Sequence, residues 1–215
     1  PLVEAALTPA TFDPRTAART LRLGLSDAAE VWLLPPLVKA LAAAAPALRV
    51  VAVPVQFRTV AAALAGGLDA AVTVADELPA GIRRQALYRG GFTCLFDPRH
   101  VRVRRLTEAA YFAHEHVVVS YNGDLRGVVE DTLGKARTVR CAVASFATIG
   151  ALIEGTALLA TVPALVAAQL RATHPRLRTA PVPLPLAGSA IELLWPAAAE
   201  DDPVGQFVRG QIVAI

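Results

Sequence analysis

Between Arg137 and Pro163 the chain reads RTVRCAVASFATIGALIEGTALLATVP, and this run constrains the fold more than any other. Val139, Cys141 and Val143 alternate with Arg140, Ala142 and Ala144, the period of a strand with one buried face. Ser145 ends that strand, and residues 148–154 read as a short helix stopped by Gly155. A second apolar run, Ala157 to Ala160, is strand-like, and Thr161 with Pro163 starts another helix. The result is a strand–helix–strand–helix unit with a hydroxyl at each strand-to-helix turn. In open α/β sheets such turns hold ligands, because strand carboxyl ends meet helix amino ends whose backbone N–H groups lack partners. The pattern predicts a small-molecule site.

The rest of the chain repeats this logic. Leu21, Leu23 and Leu25 alternate with Arg22 and Gly24, predicting a first strand that stops at Ser26-Asp27. Asp27-Ala28-Ala29-Glu30 fits a capping box for a helix running to about Ala45, which Pro35-Pro36 should break or restart. A strand over 49–55, a helix over 60–64 closed by Gly66-Gly67 and a strand over 68–74 complete β-α-β-α-β, the signature of a parallel sheet. Strands over 84–88, 92–96 and 116–120, with helices over 108–112 and 125–133, lead to the opening run. Beyond it come a helix over 163–173, an extended stretch over 177–182 and a last strand over 190–195. Asp202-Pro203 then caps a closing helix whose apolar face is Val204, Phe207, Val208 and Ile212. Two stretches echo each other: residues 34–41 lead to Pro46-Ala47-Leu48-Arg49 as residues 161–168 lead to Pro175-Arg176-Leu177-Arg178. Two similar α/β lobes would produce that echo.

Composition removes several classes. With 215 residues, 54% hydrophobic and 18% charged, the chain can bury a sizeable core and is no disordered polyelectrolyte. The net charge is +3, and all but Lys39 and Lys135 of the 21 basic residues are arginine, a balance that coding bias explains as well as nucleic-acid binding does. The densest basic run, residues 99–105, has no interleaved aromatic and reads as a solvated loop. Cys94 and Cys141 each sit in an apolar strand pattern and read as buried thiols of a reducing compartment. His114-Glu115-His116 puts two imidazoles on one face of a strand, but no third ligand accompanies them, so no metal is expected. No phosphate loop, glycine fingerprint, nucleophile elbow or paired carboxylates appear, so neither a cofactor nor an enzyme is expected. The reading contains no membrane span and no signal peptide, and the missing initiator methionine predicts residues upstream.

Several stretches, in order and spacing, resemble the effector-binding domain of LysR-type transcriptional regulators. They are Phe12-Asp13-Pro14, TLRLGLSD at 20–27, Leu33-Leu34-Pro35-Pro36-Leu37, the strand entry at 46–50 and LAGGLDAAV at 64–72. The match continues through Phe92-Thr93-Cys94-Leu95-Phe96, Ser145-Phe146-Ala147-Thr148-Ile149-Gly150, Ala160-Thr161-Val162-Pro163 and residues 191–195. The likeness is strongest to the branch controlling nodulation and aromatic-compound degradation. It implies a type II periplasmic-binding-protein-like α/β fold, two Rossmann-like lobes joined by two crossover strands near 92–96 and 178–183. Residues 20–92 plus 190–215 would form lobe I and residues 93–189 lobe II. Residues 1–19 would be a linker tail from an N-terminal winged helix-turn-helix that binds promoter DNA. The resemblance further implies a cytoplasmic homodimer or homotetramer. Its contact would set Val31 to Ala45 and Arg49 to Val55 of one protomer against Val162 to Thr173 of its neighbour.

The function implied is the sensing of a small-molecule effector, a small aromatic or organic acid, in the interlobe cleft. Carried over position by position, the cleft residues are Ser26, Asp27, Val74, Ser120, Tyr121, Ser145, Phe146, Thr148 and Thr161. Ser26 and Thr161 equally suit N-caps, and Phe146 equally suits core. Ser145 with Phe146 is the pair best suited to an aromatic carboxylate, a hydroxyl at a helix N-terminus beside a flat apolar surface. No arginine maps into the cleft, so an anion would depend on hydroxyls and helix dipoles. The competing class is the solute-binding protein of a transporter, which shares the two-lobed design but calls for a signal peptide and a polar, monomeric surface.

Overall fold

The computed structural model describes residues 12–215. Most of the linker reading over 1–19 therefore lies outside the described residues, although Asp13 anchors a turn by accepting the Arg15 backbone N–H. Contacts group the described residues into two units, one of residues 12–25, 33–85 and 192–215, the other of residues 26–32 and 86–191.

In the first unit, β1 (Arg19–Leu25) pairs in parallel with β2 (Leu48–Pro54) and β3 (Ala70–Thr73), as the alternation predicts. The antiparallel β10 (Ala190–Pro196) and then β4 (Ile82–Arg89) complete the order β2-β1-β3-β10-β4. Leu21, Leu23 and Leu25 are buried while Arg22 is exposed. Gly24 is glycine because a Cβ there would meet Leu68 Cδ1 at 2.7 Å and Val55 Cγ1 at 3.0 Å. Helix α1 (Asp27–Ala44) carries Pro35 and Pro36 inside it, unbroken, contrary to expectation. The prolines remove the donors for the Val31 and Trp32 carbonyls. However, Ala29, Leu33, Leu37 and Leu41 form one buried ridge at intervals of four residues straight across them. Each buried leucine is worth about 1.5–3 kcal/mol, so the ridge outweighs the broken rungs. Helices α2 (Val60–Ala65) and α7 (Pro203–Val213) add to this unit, and Asp202 Oδ2 caps α7 by accepting the Gly205 N–H.

The second unit's sheet has the order β7-β6-β8-β5-β9. Its strands are β5 (Phe92–Phe96), β6 (Glu115–Val119), β7 (Thr138–Val143), β8 (Leu159–Pro163) and β9 (Arg178–Pro181). β6 runs parallel to β7 and β8, while β5 is antiparallel to β8 and β9. Alternation along β5 feeds two cores. Leu95 packs with Phe146, Ile149, Val166 and Leu170, whereas Cys94 and Phe96 pack with Tyr111, Val129 and Leu159. Helices α3 (Glu108–Ala113), α4 (Val128–Leu133), α5 (Ile149–Ile153) and α6 (Ala164–Thr173) cover the sheet faces. Gly155, at φ +81°, stops the α5 segment where a side chain would be strained.

β8 and the two histidines depart from the sequence expectation. β8 begins at Leu159 and runs through Thr161 to Pro163, so Thr161 lies within a strand and Pro163 is the N-cap of α6. β4 ends at Arg89 in the first sheet and β5 begins at Phe92 in the second, while β9 ends at Pro181 in the second and β10 begins at Ala190 in the first. His114 and His116 do not share a strand face. His114 caps the C-terminus of α3, its Nδ1 2.7 Å from the Ala110 carbonyl, while His116 is buried in β6 with Nε2 2.8 Å from the Tyr111 carbonyl. Burial pulls the His116 imidazole down to about 4, so the ring is neutral at pH 7.

Candidate functional site

β6 and β7 are neighbours in parallel register, with Val119 opposite Val143, and Ser120 donates its backbone N–H to the Val143 carbonyl at 2.9 Å. Their carboxyl ends therefore deliver Ser120 and Ser145 side by side, at the position where ligands bind in open α/β sheets. Ser145 caps the 3₁₀ turn Phe146–Thr148 that leads into α5, its Oγ accepting the Ala147 N–H at 3.1 Å. The same hydroxyl donates to Asp27 Oδ1 at 2.8 Å, and the Phe146 N–H donates to Asp27 Oδ2 at 2.7 Å. Both donors that an incoming carboxylate would use are thus occupied by the protein's own carboxylate.

Asp27 is free for this because it does not cap its own helix. The capping hydroxyl is one residue earlier, Ser26 Oγ accepting the Ala29 N–H at 3.3 Å, which shifts the expected capping register by one. Residues 26–32 accordingly group with the second unit, although α1 continues beyond them. A second carboxylate faces the neighbouring strand end: Ser120 Oγ donates to Asp124 Oδ1 at 2.5 Å. That hydrogen bond, helped by the Arg126 backbone N–H, holds the Asp124 carboxyl below the usual range. The Tyr121 ring is half exposed beside Ser120, and its phenol is pushed up by desolvation and then by the Asp27 charge. Thr148 is exposed, its hydroxyl donating to the Ser145 carbonyl at 3.1 Å.

The structure thus brings together Ser26, Asp27, Ser120, Tyr121, Ser145, Phe146 and Thr148. Phe146 contributes its backbone, for its ring is buried in the core against Ile149 and Val166. Val74 follows β3 in the first unit and is half-buried. Thr161 is committed elsewhere. It is 7% exposed, and its hydroxyl shares a 2.5 Å hydrogen bond with the Tyr111 hydroxyl. Tyr111 accepts from Arg137 Nη1 at 3.1 Å, and Arg137 forms a fork onto Glu130, Nε to Oε1 at 2.8 Å and Nη2 to Oε2 at 2.6 Å. Asp124, Tyr111, Glu130 and Arg137 have no local signature in the sequence, since each earns its place through a partner on another element.

Among the described residues no cation lies within salt-bridge distance of Asp27, and no cluster of three or more His, Cys, Asp or Glu could hold a metal ion. Nor is any described helix long and apolar enough to cross a membrane.

Comparison with known proteins places these features. A family model described as LysR substrate binding domain matches residues 14–212. The chain is 31% identical over 211 residues to the HTH-type transcriptional activator NagR of a Ralstonia species, covering 95% of this chain and 69% of the relative. Nodulation protein D 1 of Mesorhizobium japonicum is 27% identical over 204 residues, with 92% of this chain and 64% of the relative covered. The crystal structure of the regulatory domain of MexT, a transcriptional activator in Pseudomonas aeruginosa, superposes with a TM-score of 0.80 at 33% identity, covering 93% of this chain and 98% of that one.

Proposed function

Because this chain belongs to the LysR substrate-binding domain family, we propose that it senses a small organic effector where Ser26, Asp27, Ser120, Tyr121, Ser145 and Thr148 converge. The observation that carries this is the meeting of Asp27 with Ser145 and Phe146 at the carboxyl ends of two adjacent parallel strands, next to Ser120. Hydroxyls, an accessible carboxylate and a half-exposed aromatic ring offer hydrogen bonds and a stacking face, the equipment of a small-molecule site. In this reading the effector response passes to a helix-turn-helix domain in the rest of a longer protein, which acts on promoter DNA in the cytoplasm. The two units correspond to the two lobes of the fold. Protomers associate through α1 and the sheet edge β2, where Val38 and Val51 stand exposed, against α6 of a neighbour.

A transcriptional reporter carrying the full-length protein, challenged with a panel of small aromatic compounds, tests the reading. At least one compound is expected to change transcription, and Ser120→Ala with Ser145→Ala is expected to abolish that response while the folded protein accumulates normally. A response retained by the double variant would move the site elsewhere.

A further inference from the structure

Resting on that site, we infer that Asp27 sets the charge class of the effector: the compound presents a hydrogen-bond donor, such as a phenolic hydroxyl, and not a carboxylate. Sequence alone pointed to an aromatic acid held by the N-terminus that begins at Ser145. In the structure the Ser145 hydroxyl and the Phe146 N–H are both spent on Asp27, and the Ala147 N–H is spent on Ser145 itself. An effector carboxylate would have to break the two Asp27 bonds or settle beside an existing negative charge.

The surroundings offer it no compensation. Asp124 adds a second carboxylate through Ser120. Arg126, the nearest arginine in sequence, is already engaged: its charge favours the Asp124 carboxylate, and its guanidinium bonds Asp131 Oδ1 and the Glu130 carbonyl. Among the described residues neither Asp27 nor Asp124 has a side-chain cation within salt-bridge distance. Like charges at contact distance in a partly desolvated site repel strongly, whereas a carboxylate oxygen with one hydrogen bond made keeps a lone pair for another donor. Asp27 is only partly buried, so such a donor can reach it. Tyr121 supplies an exposed ring at the same strand end for an aromatic partner.

The test uses the chain as it stands and two probes of matched ring size, phenol and benzoate, titrated into wild type and Asp27→Asn. Binding is read from amide shifts in nitrogen-15 NMR spectra. The quantity measured is the change in the ratio of the two dissociation constants between wild type and variant, in which the intrinsic difference between the probes cancels. Neutralising Asp27 is expected to shift that ratio about tenfold in favour of benzoate, and Asp124→Asn, which leaves the Asp27 bonds in place, to shift it the same way by less. An unchanged ratio, or wild type preferring benzoate, overturns the inference, as does failure of wild type to bind phenol at millimolar concentration. Which amides move is a separate readout. Shifts at Ser120, Tyr121 and Phe146 with an unchanged ratio sink the charge assignment and leave the site standing. Shifts confined to other residues sink the site itself.

Discussion

Replacing Arg137 with methionine removes a guanidinium that is 1% exposed from a glutamate that is 6% exposed. Glu130 would keep the Gly127 N–H at 2.9 Å and the Arg137 backbone N–H at 3.2 Å, but lose both charged contacts. The Tyr111 hydroxyl would lose a donor in the same step. Burial works against the Glu130 carboxylate, yet the Arg137 hydrogen bonds and charge overcome it and bring the carboxyl from 4.5 down to about 2. That displacement is worth at most about 3 kcal/mol. It agrees with the cost of breaking one side of a buried ion pair, about 3–5 kcal/mol. We therefore expect Arg137→Met to destabilise the second unit by about 3 kcal/mol at pH 7, read from urea denaturation followed by circular dichroism.

The pH dependence distinguishes this mechanism from lost packing. In wild type the Glu130 carboxyl sits lower folded than unfolded, so its contribution is complete above the unfolded value of 4.5 and disappears as pH falls toward about 2. In Arg137→Met the carboxylate loses its partner, burial dominates, and its pKa moves upward instead. Protonation then relieves the variant while weakening wild type, so the stability gap narrows between pH 7 and pH 4. Adding Glu130→Leu to Arg137→Met removes the stranded charge and is expected to recover part of the loss at pH 7. A gap below about 1 kcal/mol at pH 7, or one of constant size down to pH 4, refutes the argument.

Asp97 is fully buried and accepts from the Arg99 backbone N–H, the Arg99 guanidinium and the Gly155 N–H, so its carboxyl lies well below the ordinary range. Asp97→Ala is expected to lower the midpoint of thermal unfolding and to speed hydrogen exchange at Gly155. Burial pushes the Cys94 thiol up to about 12, while Cys141 is only partly buried. Iodoacetamide at pH 8 is therefore expected to label Cys141 and to spare Cys94 until the chain is unfolded, as mass spectrometry of the digest would show.

What could be read from the sequence was whatever repeats locally. The leucines of β1 and the alternation in β7 mark their strands because a period of two is written in adjacent residues. Asp202-Pro203 marks the start of α7 because cap and N1 preferences are local chemistry. Pro35-Pro36 misled for the same reason. The local rule breaks a helix there, whereas the winning term is a ridge of buried residues whose worth depends on what lies beneath it. Thr161 misled in a related way. A hydroxyl before a proline looks like a cap, but its partner is a tyrosine 50 residues away.

The site divides along the same line. That Ser120 and Ser145 lie at strand ends is legible because strand ends are, and parallel neighbours must deliver their ends together. The pairing of Asp27 with Ser145 joins residues 118 positions apart, and no periodicity reports it. Yet this pairing reverses the chemical meaning of the pattern. An N-terminus with unpaired N–H groups attracts an anion, while the same N-terminus already holding a carboxylate presents an acceptor. Residue type and spacing thus mark two strand ends with their hydroxyls, and whether those ends present donors or an acceptor depends on the long-range partner that meets them.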